Sequence, residues 1–130
     1  MRFMADSVTL RILIVEDNRD LAGSLKMLLQ GLGYEAHVVH DGASAVAAAR
    51  ILRPQVILMD IGMPGMSGYD AARQIRDQCP DMRVGIVAVT GLGLQVDRLR
   101  SAEAGIDHHL VKPANPAVLR QILDSTPRAG

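Results

Sequence analysis

Five polar residues stand where apolar runs of this chain stop. Glu16 and Asp17 follow Ile12-Leu13-Ile14-Val15, and Asp60 closes Val56-Ile57-Leu58-Met59. Thr90 follows a run ending in Val89, and Lys112 ends the segment that begins at His108. Short apolar runs bounded by turn-forming residues read as buried strands. Open α/β sheets place ligands outside the carboxyl ends of their strands, so these residues are expected on one rim. Three carboxylates gathered there repel, and one takes up a proton unless a cation joins them. Hard oxygen donors with room for water suit Mg²⁺. No Cys or His lies among them, which argues against Zn²⁺. A hydroxyl and an ammonium complete an anion-handling site. A carboxylate is a known nucleophile toward phosphoryl groups, and positioning with charge neutralisation supplies most of the catalysis in such transfers. Taken singly, a strand-end Asp is a cap, Thr-Gly a turn and Lys-Pro a surface exit. The set of five is not explained by caps and turns.

The elements that must position these residues alternate. Strands are expected over Arg11 to Val15, Glu35 to His40, Val56 to Asp60, Val84 to Val89 and His108 to Lys112. The first, third and fourth are almost wholly apolar, as a sheet covered on both faces requires. The second and fifth are more polar and suit the edges. Between them run helical stripes: Leu21, Leu25, Leu28, Leu29 and Leu32 in the first helix, Ala43, Val46, Ala47 and Ile51 in the second, and Leu119, Ile122 and Leu123 in the fifth. Spacings of three, four and seven put such residues on one face. Asn18, Ser67 and Asn115-Pro116 are expected N-terminal caps, while Gly31, Gly33 and Pro54 mark helix ends. Strand–helix alternation with short connections gives a parallel sheet with helices on both faces.

The bulk numbers agree with one domain. The 130 residues are 48% hydrophobic but only 2% aromatic, so Val, Leu, Ile, Ala and Met must build the core. Fourteen Lys and Arg balance fourteen Asp and Glu, which weighs against nucleic acid or an anionic membrane as a direct partner. A single cysteine, Cys79, allows no internal disulfide and suits a reducing cytoplasm. It reads as a small buried residue before Pro80. No apolar stretch approaches the ~20 residues of a membrane span, and the first residues lack a signal-peptide core. The expected division is a lead-in over 1–9, one domain over 10–124 and a tail over 125–130.

From Arg11 to Leu123 the chain resembles the receiver domain of two-component response regulators. The resemblance rests on Glu16-Asp17, on Asp60 with Met63-Pro64 and Gly68 behind it, on Thr90-Gly91 and on Lys112-Pro113. It implies a flavodoxin-like (βα)5 sandwich with a parallel five-stranded sheet of order 2-1-3-4-5. It implies that Asp60 is the phosphoacceptor, and that Asp17, Asp60 and the backbone carbonyl of Gly62 bind Mg²⁺, with Glu16 acting through water. Lys112 would contact the phosphoryl group, Thr90 would donate to it, and Lys112-Pro113 would be cis. The family usually carries Tyr or Phe three residues before the lysine as a switch residue. This chain has His109 there, polar and able to titrate near neutral pH.

The implied function is a signalling receiver rather than a classical enzyme, though it assists its own phosphorylation and dephosphorylation. Its partner would be a sensor histidine kinase or a histidine phosphotransfer protein. The run Ile106 to Pro113 resembles receivers attached to hybrid kinases, so an output domain or hybrid kinase is a candidate partner. Leu92, Leu94 and Val96 are candidates for the responding surface, and Leu92 flanks the expected route of attacking water. Rival readings stay on the table. A dehalogenase-type phosphatase needs a second Asp two positions after the first, where this chain has Gly62. A flavodoxin needs a Ser/Thr-rich loop after the first strand, where Glu16-Asp17-Asn18 would repel phosphate. A phosphorylation-independent interaction module on the same fold would need none of the five residues.

Overall fold

Runs of Val, Ile and Leu form the centre of the structure, a computed structural model that describes residues 9–91 and 96–126. The chain alternates β1 (Arg11–Val15), α1 (Arg19–Gly31), β2 (Glu35–Val39), α2 (Gly42–Leu52), β3 (Val56–Asp60), α3 (Gly68–Gln78), β4 (Gly85–Thr90), α4 (Arg98–Ala104), β5 (His108–Val111) and α5 (Pro116–Asp124). All pairings are parallel, in the order β2-β1-β3-β4-β5. The expected sheet order and the polar edge strands are both observed. β1 lies beside β3 with Val15 opposite Met59, which brings the ends carrying Glu16, Asp17 and Asp60 together.

Alternation along the strands feeds two cores. Leu13, Val15, Ile57, Met59, Ile86 and Ala88 face α2, α3 and α4, meeting Ala45, Ala49, Ala72, Ile75 and Ala104. Ile12, Ile14, Val56, Leu58, Val87 and Val89 face Leu29, Leu119 and Leu123 from α1 and α5. Burying one large aliphatic side chain is worth about 1.5–3 kcal/mol, so the strand ends rest on a sheet fixed from both sides.

The caps agree with the sequence: Asn18 accepts from Leu21 N–H, Ser67 from Asp70 N–H, and Asn115 from Ala117 and Val118 N–H. Asp41 and Asp97 cap α2 and α4 in the same way. Gly33 closes the end of α1 at φ 95°, a conformation that glycine adopts without steric cost. Arg53 ends α2 in the left-handed region just before Pro54.

The helical stripes need correction. Leu21 is 47% exposed and Ile51 81% exposed, and Ala43 and Ala47 also face outward. Ala22 takes the inward position in α1, and Gly42, Ala45, Val46 and Ala49 do so in α2. In an alanine-rich helix several phases carry similar hydropathy. The close approach that small residues permit decides the inward face. β4 also starts and ends one residue later than expected. The Val84 carbonyl is taken by the Arg76 guanidinium at 2.7 Å, and Thr90 joins the ladder opposite Val111. β2 and β5 each end one residue earlier than expected, at Val39 and Val111. Among the described residues no helix is long and apolar enough to cross a membrane. Leu92 and Leu94 lie outside the described residues, as do most of the lead-in and the last four residues.

Candidate functional site

The rim at the carboxyl ends of β1, β3 and β5 holds four of the expected residues together. Glu16, Asp17 and Asp60 each offer a carboxylate oxygen within 4.8 Å of the others, the only such group of His, Cys, Asp or Glu among the described residues. Glu16 and Asp60 are buried, while Asp17 is exposed. Local structure fixes each. Glu16 receives the Asn18 N–H at 3.1 Å, and its own carbonyl lies 2.9 Å from His40 Nδ1. Asp60 receives the Gly62 N–H at 3.0 Å. Gly68 packs so closely behind Asp60 that a side chain there would collide with the Asp60 carbonyl oxygen and with Ile61.

Lys112 reaches in from the end of β5, followed by a cis peptide bond to Pro113. Its ammonium lies 2.6 Å from Glu16 Oε1 and 3.4 Å from Asp60 Oδ2. One cation thus serves two buried acids and leans toward Glu16. The electrostatics follow. Burial, reinforced by Glu16, pushes the Asp60 carboxyl up to about 6, against the pull of the Gly62 N–H. For Asp17, burial works upward, but hydrogen bonds with Asp60 and Glu16 and the charge of Lys112 outweigh it, so its pKa is lowered. For Lys112, burial works downward, and the carboxylates of Glu16 and Asp60 overcome it and raise the pKa.

Thr90 and His109 stand one step away. Thr90 is buried, and its hydroxyl donates to the Leu110 carbonyl at 3.3 Å. The Lys112 N–H donates to the Thr90 carbonyl at 2.7 Å, so the ends of β4 and β5 are tied. His109 is half-buried, with Nε2 3.0 Å from Ser101 Oγ on α4. Burial, then the charges of Arg98 and His108, hold its pKa below the usual value. Ser101 is 2% exposed and had no signal in the sequence, since a serine within a helix looks like a surface residue.

A family model for the response regulator receiver domain matches residues 12–124. The chain belongs to this family. The receiver is 39% identical over 114 residues to the DNA-binding response regulator MtrA of Mycobacterium tuberculosis, covering 88% of this chain and 49% of MtrA. It therefore spans about half the length of the curated relatives it matches. Its fold resembles chemotaxis protein CheY4 of Vibrio cholerae, with a TM-score of 0.82, 28% identity and coverage of 92% of this chain and 99% of that one. It also resembles the receiver domain of sensor histidine kinase PA1611 from Pseudomonas aeruginosa, with a TM-score of 0.79, 40% identity and coverage of 89% and 95%. That protein carries a magnesium ion coordinated in its active-site cleft. The donor set of this receiver fits such an ion. It offers three carboxylates, no sulfur or imidazole, and one lysine that leaves Asp60 undercompensated.

Proposed function

We propose that this receiver is the phosphoacceptor of a two-component phosphorelay, taking a phosphoryl group onto Asp60 from a phosphohistidine on a sensor histidine kinase or histidine phosphotransfer protein. The observation that carries this reading is the convergence of Asp60, Glu16, Asp17 and Lys112 on one strand-end rim. An Asp60 carboxylate oxygen forms a bond to phosphorus as the P–N bond breaks, and the electron pair returns to the imidazole nitrogen. The nucleophile must be ionised, and a carboxyl at about 6 is mostly ionised at neutral pH. Lys112 can shift from Glu16 toward the transferring oxygens, where a preplaced cation stabilises developing charge. Bound Mg²⁺ supplies further neutralisation of the acids and the phosphoryl oxygens. Asp17, Asp60 and the Gly62 carbonyl would hold it directly, and Glu16 through water.

The phosphoryl group then competes with the Leu110 carbonyl for the Thr90 hydroxyl. His109 is the second switch residue, already joined to α4 through Ser101. The chain is a signalling module that assists its own phosphorylation and dephosphorylation, and it regulates a partner or an attached domain. Its balanced charge supports no direct nucleic-acid contact by this segment, and DNA binding in relatives such as MtrA accompanies a length twice that matched here. A cytoplasmic location fits both the phosphohistidine donor and DNA-binding relatives.

The test is incubation with Mg²⁺ and acetyl phosphate, followed by mass spectrometry. A single phosphate adduct that disappears in Asp60→Asn is expected. No adduct on a folded protein that binds Mg²⁺ would point to a phosphorylation-independent interaction module instead.

A further inference from the structure

We propose that Tyr69 and Arg100 form a clasp that holds the start of α4 in its resting position, and that phosphoryl binding at Asp60 works against it. The proposal rests on the acceptor reading above and adds a coupling element to it.

The clasp joins the first turns of α3 and α4. Tyr69 is 6% exposed. Its hydroxyl accepts the backbone N–H of Asp97 at 3.1 Å, and Asp97 is the N-cap of α4. The Asp97 side chain in turn accepts the Arg100 N–H at 3.0 Å. The Arg100 guanidinium lies 4.7 Å from the centre of the Tyr69 ring and reaches back to Ser67 Oγ at 3.3 Å and Asp70 Oδ1 at 3.4 Å. Packing alone would need only the ring. The hydroxyl is committed to the cap of a different helix.

Both ends of the clasp lead to the acceptor. Tyr69 follows Gly68, whose N–H donates to the Ile61 carbonyl and which packs against the Asp60 backbone. Asp97 is seven residues after Thr90, whose hydroxyl faces Leu110 in this structure. A phosphoryl oxygen that draws Thr90 away pulls the end of β4 while Tyr69 holds the start of α4. A contact made only in the resting state lowers affinity for any ligand that favours the other state. Its removal raises that affinity by the same factor.

Tyr69→Phe removes the hydroxyl and keeps the ring, and Arg100→Gln removes the other half of the clasp. Each is compared with wild type in two measurements. Hydrogen exchange should rise at the amides of Asp97 to Ser101 and stay unchanged in α1. Affinity for beryllofluoride with Mg²⁺, a phosphoryl mimic read by calorimetry, should tighten about fivefold, the factor of one ordinary hydrogen bond. Unchanged exchange in both variants overturns the clasp, whatever happens at Asp60. Raised exchange with unchanged beryllofluoride affinity overturns the coupling. A wild-type chain that takes neither beryllofluoride nor acetyl phosphate overturns the acceptor reading and the coupling with it, while exchange still decides the clasp.

Discussion

The acid cluster should weaken the fold, and its cost can be worked from Asp60. In the folded chain its carboxyl is raised from 3.8 to about 6, first by burial and then by Glu16. The native state therefore holds a proton that the unfolded chain has released across this window. Stability falls as pH rises from about 4 to about 6, the reverse of the usual salt-bridged aspartate. At about 1.4 kcal/mol per pH unit, the full cost above pH 6 is about 3 kcal/mol. The Asp60 side chain is only 6% exposed, so water screens little of this. Asp60→Asn removes the charge and keeps the shape. In EDTA at pH 7.5 the variant should be about 2–3 kcal/mol more stable than wild type, roughly 10 °C in Tm for a domain of this size. At pH 4 the gap should shrink below about 1 kcal/mol. Urea unfolding followed by circular dichroism measures both, and the titration of His109, common to the two proteins, drops out of the difference. Millimolar Mg²⁺ should narrow the pH 7.5 gap, because wild type has the fuller ligand set and gains more by mass action. An equal or less stable variant at pH 7.5, or a gap that ignores pH, would refute the reasoning.

Gly68→Ala drives a methyl into the Asp60 carbonyl oxygen and Ile61. It should cost about 1–3 kcal/mol and slow adduct formation with acetyl phosphate as Asp60 shifts. Arg76→Met removes the guanidinium that serves the Val84 and Gly105 carbonyls and Asp107. A loss of about 2–3 kcal/mol in urea unfolding is expected, since the carbonyls of buried Val84 and part-buried Gly105 lose a charged donor. Ile51→Ser should change stability by less than about 0.5 kcal/mol, because Ile51 is 81% exposed. A larger loss would show that the inward face of α2 has been misassigned.

Strand order, caps and the rim residues were legible because each rests on a strong local signal. Buried parallel strands read as continuous Val and Ile, and a charge ending such a run has few explanations. Leu21 and Ile51 misled because hydropathy gives a helix its stripe but not its depth. α2 presses Ala45 and Ala49 against the sheet and lets Ile51 project. The partners of Lys112 could be anticipated from topology alone. Those of Tyr69, Ser101 and Arg76 could not. Their bonds run from helices to loops or, for Ser101, to strand β5, about 8 to 31 residues apart in the chain, and no periodicity encodes such distances.

The same distinction separates the rigid part of the site from the part able to move. β1 and β3 carry the acids, and the apolar residues of both strands are buried between two cores. Displacing them would expose several large side chains at about 1.5–3 kcal/mol each. α4 differs: of its seven residues only Ser101 and Ala104 are buried, and neither brings much apolar area. Its position depends on polar contacts of Asp97 with Tyr69, of Arg100 with Ser67 and Asp70, and of Ser101 with His109, each worth about 1 kcal/mol net or less. A swing from 1:99 to 99:1 takes roughly 5.5 kcal/mol, far less than moving a strand. On the proposed acceptor reading, a charge change at Asp60 would meet least resistance along the path to α4. On that reading, the element with the least apolar burial would be the one this fold can spare as a readout.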